Sequence, residues 1–173
     1  MTDIFKWRLA FVRLAPVIFL IGFLQACSGL EVNQDHVQEY NFSSLKTFAW
    51  EPDEKNSSGV KSNSPIDKRI RTAIENNLLA KSYRLVDSYT PDFFISYHVT
   101  VEQETTASDN SRDSQLSAYD KGTLLIDVKI PLGSKVVWRG VGTQPIPEFS
   151  SAEESRVRIN NAVEKILARF PPD

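Results

Sequence analysis

The sequence has very few of the residues that most often carry chemistry. It contains one cysteine, Cys27, and two histidines, His36 and His98, among 173 residues. A lone cysteine cannot form a disulfide within the chain and has no partner for a CxxC redox or zinc pair. The short motifs of serine hydrolases, phosphate-binding loops, zinc proteases and EF-hands are also missing. We therefore expect no enzymatic activity, no metal site and no cofactor.

The chain also lacks an excess of positive charge. Its 20 Lys and Arg stand against 22 Asp and Glu, which gives a net charge of −2. Without the first 26 residues, which hold one acid and three bases, the balance is 17 against 21, or about −4. Nucleic-acid binding needs a clustered basic surface, and electrostatic attachment to anionic lipid needs a basic segment. We expect neither of these partners.

Only the N-terminus carries a long hydrophobic run. Lys6, Arg8 and Arg13 make the start positive, and residues 14–24 form an apolar run of eleven residues interrupted only by one proline and one glycine. This order is typical of an export signal. Eleven residues are too few to cross roughly 30 Å of hydrocarbon as a helix. The opening residues therefore predict a signal peptide over residues 1–26.

The end of this run, Leu24-Gln25-Ala26-Cys27, resembles the lipobox of bacterial lipoproteins. The resemblance implies a diacylglyceryl group on the Cys27 sulfur, cleavage after Ala26 and acylation of the new amino terminus. Because the residue after Cys27 is Ser28 and not aspartate, the resemblance also implies sorting to the outer membrane, with the domain facing the periplasm. Two or more acyl chains anchor a protein stably, so the membrane is the first expected partner. An uncleaved signal anchor and a secreted protein with a chance cysteine are the alternatives.

The remaining chain predicts a short tether and one domain. Residues 27–39 hold the lipidated cysteine and a polar tether, and residues 40–173 form a single α+β domain. Alternating and helical apolar patterns predict the order β-α-β-β-β-β-α. Ser64 is the predicted N-cap of the first helix, and Ser151 begins a capping box for the last. We expect an antiparallel or mixed sheet of about five strands with both helices packed on one face.

Three segments contain few apolar residues that could be buried in a core. Residues 53–64 predict a loop, and residues 144–150, with two prolines, predict an extended linker. Residues 104–121 are dominated by Ser, Thr, Asp and Asn. They fit either a long hairpin loop or the ragged continuation of two strands, and the sequence favours neither.

Few side chains qualify as candidate site residues. His98 lies mid-strand on the wetter face, where an exposed or structural role is favoured over a functional one, which would be as part of an interaction surface. Trp138 fits the core or, if exposed, an interaction surface. Glu102 and Glu104 share a strand face, where a solvated strand end is favoured over acid–base chemistry or cation binding. Asp127 fits a paired structural carboxylate better than a catalytic one.

Several short stretches resemble one family in their order and spacing. They are Lys46-Thr47-Phe48-Ala49-Trp50, Ile66-Asp67 with Arg69-Ile70, Tyr83-Arg84-Leu85-Val86, Pro91-Asp92-Phe93 with Tyr97-His98-Val99, Gly122-Thr123-Leu124 with Asp127, Val137-Trp138-Arg139-Gly140, and Ile166-Leu167 with Phe170-Pro171-Pro172. The sequence is similar in these to the domain of unknown function 4136 family of bacterial lipoproteins. The resemblance implies a lipid-anchored envelope domain and supplies no activity and no catalytic residue.

The chain departs from the family pattern at one position where the change should affect stability. The family usually has glycine between the first helix and the next strand, where this chain has Ser82. Glycine there suits a left-handed residue at the C-terminal end of the helix. If Ser82 adopts that conformation, the cost is on the order of 1 kcal/mol.

Three functions are compatible with the sequence, in decreasing order of preference. The first is a non-enzymatic envelope lipoprotein that presents a surface to another envelope protein or a ligand. The second is a small lipid- or ligand-binding module that uses a groove between the helices and the sheet. The third is an enzyme of an unrecognised class. An interaction module needs a flat apolar patch, and a ligand binder needs an apolar pocket of roughly 300 Å³ or more.

Overall fold

The fold is a six-stranded sheet with two helices in the part of the chain that the structure describes. A computed structural model describes residues 29–52, 59–87, 90–107 and 116–172. The elements in chain order are β1 (Glu31–His36), β2 (Thr47–Trp50), α1 (Pro65–Ala80), β3 (Arg84–Leu85), β4 (Phe93–Ala107), β5 (Leu116–Ile130), β6 (Lys135–Ile146) and α2 (Ala152–Leu167).

The sheet is mixed, with the strand order β1-β6-β5-β4-β2-β3. Strands β4, β5, β6 and β1 pair antiparallel, whereas β2 runs parallel to both β3 and β4. Both helices pack on the same face of this sheet, which we call the helix face; the opposite side is the open face. The α+β class, the order of the predicted elements and the placement of the helices are confirmed.

Each helix begins at its predicted cap. The Ser64 side chain accepts a hydrogen bond from the backbone of Asp67, and a proline occupies the first turn of α1. Ser151 and Glu154 form the reciprocal capping box of α2. These caps satisfy backbone groups that the helices leave unpaired at their N-termini. The two helix starts therefore follow from local sequence alone.

An aromatic cluster forms the core between the helices and the sheet. Phe170, just after α2, is fully buried, and its ring centroid lies 5.1 Å from that of Trp138 and 5.8 Å from that of Phe93. Gly140 of β6 makes room for this packing. A Cβ atom added there would lie 2.4 Å from the Trp138 ring and 2.5 Å from Ile166 of α2. Helix α2 thus sits against β6 where the sheet has no side chain.

Two sequence-based boundaries need correction, and one alternative that the sequence left open is decided. The predicted tether is shorter, because Glu31–His36 pairs with β6 as an edge strand and brings the sheet to six strands. The predicted linker over 144–150 is partly strand, since β6 continues to Ile146. For residues 104–121, the described parts follow the strand alternative, because β4 reaches Ala107 and β5 begins at Leu116.

Candidate functional site

The predicted lipid-attachment residues lie outside the described part of the chain. Ala26 and Cys27 precede Gly29, the first residue that the structure describes. Within the described ranges, no helix is both long enough and apolar enough to cross a membrane. The lipid anchor therefore stays a prediction from the sequence.

The two residues offered as an interaction surface have different positions. Trp138 is fully buried on the helix face, and its Nε1 atom donates a hydrogen bond to Gln34 Oε1 at 3.0 Å. It is a core residue, and the interaction-surface alternative is wrong for it. His98 is exposed on the open face, opposite Leu125 in the register of β4 and β5.

The candidate carboxylates are paired with basic side chains or exposed. Asp127 accepts two hydrogen bonds from the Arg139 guanidinium, both at 2.7 Å, which confirms a paired structural carboxylate. Glu104 accepts from Lys121 and from the Tyr119 hydroxyl, each at 2.7 Å, and these bonds lower the pKa of Glu104. Glu102 is exposed. Among the described residues, no group of three or more His, Cys, Asp or Glu could hold a metal ion.

The open face carries charged pairs where an interaction module would need an apolar patch. Asp127 and Arg139 lie near its centre, and Lys129 Nζ contacts Glu51 Oε2 at 2.5 Å. Edge strand β1 is polar except for Val32. Large exposed apolar side chains lie elsewhere, and three of them, Ile66, Val101 and Val157, border the spaces described next.

An apolar cavity of about 260 Å³ lies between the two helices and the helix face of the sheet. Its walls include Ile70 of α1, Ile159 and Ala162 of α2, and Val99 and Leu124 of the sheet. The cavity lies next to Gly122 of β5 and Gly142 of β6, which carry no side chain on that face. The space directly above these glycines is filled, since a Cβ atom on Gly122 would lie 2.6 Å from Ile146 and one on Gly142 would lie 2.7 Å from Ile166. The cavity is the groove of the second sequence-based hypothesis.

A short segment before α1 closes one side of the cavity. Val60 is part of the lining, and its neighbour Gly59 has a left-handed backbone with a φ of +73°. A Cβ atom on Gly59 would lie 1.8 Å from the backbone oxygen of Val99. Only glycine lets the chain pass this close to β4. The backbone itself thus holds Val60 over the cavity.

A buried aspartate fixes α1 over the sheet beside the cavity. Asp67 is 3% exposed and accepts hydrogen bonds from Tyr97 Oη at 2.5 Å, Asn63 N at 2.7 Å and Arg71 Nε at 2.9 Å. Burial alone raises the pKa of Asp67, but these hydrogen bonds outweigh burial and hold the pKa below the usual value. Asp67 thereby positions its neighbours Ile66 and Ile70, which line the cavity.

One charged side chain reaches the cavity. Arg158 of α2 lines both the cavity and a wider outer cleft of about 530 Å³, and Gln144 is the other residue that the two share. The Arg158 Nη2 atom is buried and has no hydrogen-bond partner among the described residues. A buried polar atom without a partner costs about 1–3 kcal/mol, so this atom is an unusual feature in a native structure.

The acidic residues of the outer cleft accept hydrogen bonds from groups other than Arg158 Nη2. Glu154 accepts from the backbone and hydroxyl of Ser151 at 2.7 and 2.9 Å, and these bonds, with a smaller contribution from the positive charge of Arg158, lower the pKa of Glu154. Glu153 pairs with Arg156 on the surface of α2. The sequence suggested a groove between the helices and the sheet as one alternative, but it predicted neither the lining of the groove nor the position of Arg158, because both depend on how α2 lies across the sheet.

Fold and site together define a small α+β domain with an apolar cavity between its helices and its sheet. Its sequence matches the model of the domain of unknown function family DUF4136 over residues 32–172. The chain belongs to this family, which confirms the resemblance found in the sequence. No curated protein sequence matches the chain.

Solved structures with the same fold are distant in sequence. A PDZ domain protein from Parabacteroides distasonis is 17% identical with a TM-score of 0.55; the match covers 83% of this chain but only 36% of that protein. The PelC dodecamer from Paraburkholderia phytofirmans is 13% identical with a TM-score of 0.50, covering 80% of this chain and 96% of that one. A minor lipoprotein from Acinetobacter baumannii, 11% identical over 73% of this chain and 92% of that one, has a TM-score of 0.46 and supports no argument. The first two likenesses show the fold alone.

Proposed function

We propose that this chain is an outer-membrane lipoprotein whose domain binds a small apolar ligand without catalysis. Acyl chains on Cys27 hold it in the membrane, and the domain faces the periplasm. The residues before Cys27 have the order of a bacterial lipoprotein signal, and this order supports the anchoring. The ligand site is the cavity between the helices and the sheet.

The cavity is the observation that carries the binding proposal. Protein interiors are close-packed, and spaces much larger than a water molecule are few. An apolar cavity of about 150 Å³ holds benzene, so 260 Å³ has room for about ten carbon atoms. This volume lies just below the usual range of ligand pockets, which starts near 300 Å³. A single short hydrocarbon chain matches it better than a ring system or a two-chain lipid.

Exposed apolar side chains at the rim support access from outside. Ile66 is 44% exposed and Val101 57% exposed, and both line the cavity. Val157 of the outer cleft is 54% exposed. Large apolar groups at the mouth of a cavity reduce the cost of passing a hydrocarbon chain from water into the interior. The polar open face has no comparable cluster among the described residues.

Decanol binding to the full-length protein tests the proposal. The protein, held in phosphatidylcholine nanodiscs, is dialysed against radiolabelled decanol, with empty nanodiscs as the blank. Each buried CH₂ contributes about 0.8 kcal/mol, or about fourfold in affinity. We expect saturable binding at one site per chain in excess of the blank.

A matched pair of variants locates that binding. Val99→Phe places a ring inside the cavity and should weaken decanol binding about tenfold or more, because it removes the room of several CH₂ groups. Thr100→Phe places the same ring on the exposed open side of the same strand and should leave binding unchanged. Equal effects of the two variants, or no binding above the blank, would refute the cavity as a ligand site.

A further inference from the structure

We propose that Arg158 binds the head of the ligand, so that the cavity takes a single-chain amphiphile with a carboxylate head and about ten carbons. This inference rests on the proposed function and adds the chemical class of the ligand. It starts from the Nη2 atom of Arg158, which is buried and has no partner among the described residues. Arginine is well suited to carboxylates because its planar group donates hydrogen bonds in a fixed direction.

The position of Arg158 gives the ligand its orientation. The side chain stands where the apolar cavity meets the wider outer cleft, since it lines both. A hydrocarbon tail in the cavity would therefore leave its head next to the Arg158 side chain, with Gln144 as a second polar residue at the same junction. The tail would contact Ile70, Leu124 and Ile159 further in.

The charges around Arg158 favour a singly charged head. Glu153 and Glu154 also line the outer cleft. Their carboxylates are bonded to Arg156 and Ser151 and make no hydrogen bond with Arg158 Nη2. Two negative side chains nearby oppose a doubly charged phosphate more strongly than a carboxylate. Fatty-acid-like carboxylates thus fit better than phosphate-headed lipids.

Decanoate, decanol and decyl phosphate separate these possibilities in the full-length protein in phosphatidylcholine nanodiscs. A charge-assisted hydrogen bond corresponds to about 10-fold to 100-fold in affinity, so decanoate should bind more tightly than decanol by that factor. Decyl phosphate should bind more weakly than decanoate. Equal affinities for decanoate and decanol would overturn the inference and leave the proposed function intact, whereas no binding of either would overturn both. Tighter binding of decyl phosphate would overturn the carboxylate assignment.

Variants of α2 assign the effect to Arg158. Arg158→Gln should bring the affinity for decanoate to within about threefold of the affinity for decanol, both measured on this variant. Arg158→Lys, which keeps the charge, should restore part of the preference. Arg156→Gln is the matched control, because Arg156 lies on the same helix and pairs on the surface with Glu153. A preference for decanoate that survives Arg158→Gln, or that Arg156→Gln abolishes equally, would contradict the inference.

A stability measurement tests whether Arg158 has a purely structural role. Because Nη2 makes no hydrogen bond to the described residues, Arg158→Gln should not lower the urea midpoint of the ligand-free protein. Decanoate should raise the midpoint of the wild type and of Arg156→Gln, but raise it much less in Arg158→Gln. A large loss of ligand-free stability in Arg158→Gln would show that Arg158 holds the fold together and would overturn its assignment as a head-group contact.

Discussion

Replacing Ser82 with glycine should stabilise the domain. Ser82 has a φ of +70°, the left-handed conformation that the family comparison anticipated. It lies just beyond α1, where its N–H donates to Leu79 O at 2.9 Å and the N–H of Tyr83 donates to Leu78 O at 3.0 Å. This pair of hydrogen bonds is the Schellman motif, and the buried contact of Tyr83 with the end of the helix accompanies it.

The size of the effect follows from two opposing terms. A non-glycine residue in the left-handed region costs about 1–2 kcal/mol, which glycine avoids. Glycine also gives the unfolded chain more freedom, which costs about 0.4–1 kcal/mol. The side chain of Ser82 is exposed, so little contact is lost. The net gain should be about 0.5–1 kcal/mol, which for a domain of this size is a rise of about 2–4 °C in Tm.

Urea unfolding of the full-length protein, followed by tryptophan fluorescence, measures the change. Ser82→Ala is the control, because it removes the hydroxyl but keeps the Cβ atom that causes the strain. We expect a higher midpoint for Ser82→Gly and none of that gain for Ser82→Ala. An unchanged or lower midpoint for Ser82→Gly, or an equal gain in both variants, would refute the reasoning.

Three further predictions concern the anchor, the buried acid and the core. Cys27→Ser should leave the fold intact and release the protein from the membrane; a variant that still fractionates with the outer membrane would place the anchor in the folded domain. The hydrogen bonds of Asp67, above all from Tyr97, lower its pKa, so its contribution to stability is present above pH 3.8 and is lost as the pH falls through the lowered value. Asp67→Asn should therefore cost about 1–3 kcal/mol at pH 7 and flatten the decline of the urea midpoint at acidic pH, and an unchanged acid profile would count against it. Gly140→Ala should lower the free energy of unfolding in urea by about 1–3 kcal/mol, because the added methyl group would clash with the Trp138 ring and Ile166. A variant as stable as the wild type would show that the core rearranges there without cost.

Local sequence signals predicted the elements with a clear pattern. The two serine caps, the alternation of β4 and the conformation of Ser82 all depend on residues close together in the chain. The turn between β5 and β6 also depends on residues close together in the chain, since Pro131 is followed by Gly133, which has a φ of +77°. Such features need no knowledge of the tertiary structure.

The sequence did not predict the strands at one edge of the sheet, because backbone hydrogen bonds hold these strands and their side chains show no apolar pattern. Strand β1 has one apolar residue, Val32, and is held by its ladder with β6, so its sequence resembles a tether. Pro145 argued against a strand over 144–150, yet β6 includes Pro145. Pairing with β1 stops at Thr143, so at Pro145 strand β6 pairs only with β5 and forms the edge of the sheet. A proline, which has no N–H, is tolerated at such an edge.

The candidate site depends on distances that no local pattern encodes. The cavity is lined by neighbouring strands, which contribute Gly122 and Gly142, and by two helices that are far apart in sequence. In the sequence, Arg158 cannot be distinguished from the other basic residues of an amphipathic helix. Its Nη2 atom lacks a hydrogen-bond partner among the described residues because of the way α2 packs. The sequence did suggest a groove between helices and sheet as one alternative, but not its lining.

Affinity as a function of chain length is the most direct test of a bounded apolar site. Straight-chain alcohols of about six to about fourteen carbons would be measured by equilibrium dialysis against the full-length protein in nanodiscs, with empty nanodiscs subtracted. A cavity of about 260 Å³ predicts a gain of about fourfold per CH₂ up to about ten carbons and no gain beyond, with the limit shifted to shorter chains in Val99→Phe. Affinity that continues to rise to the longest chain, or that does not depend on chain length, would contradict the cavity as the binding site.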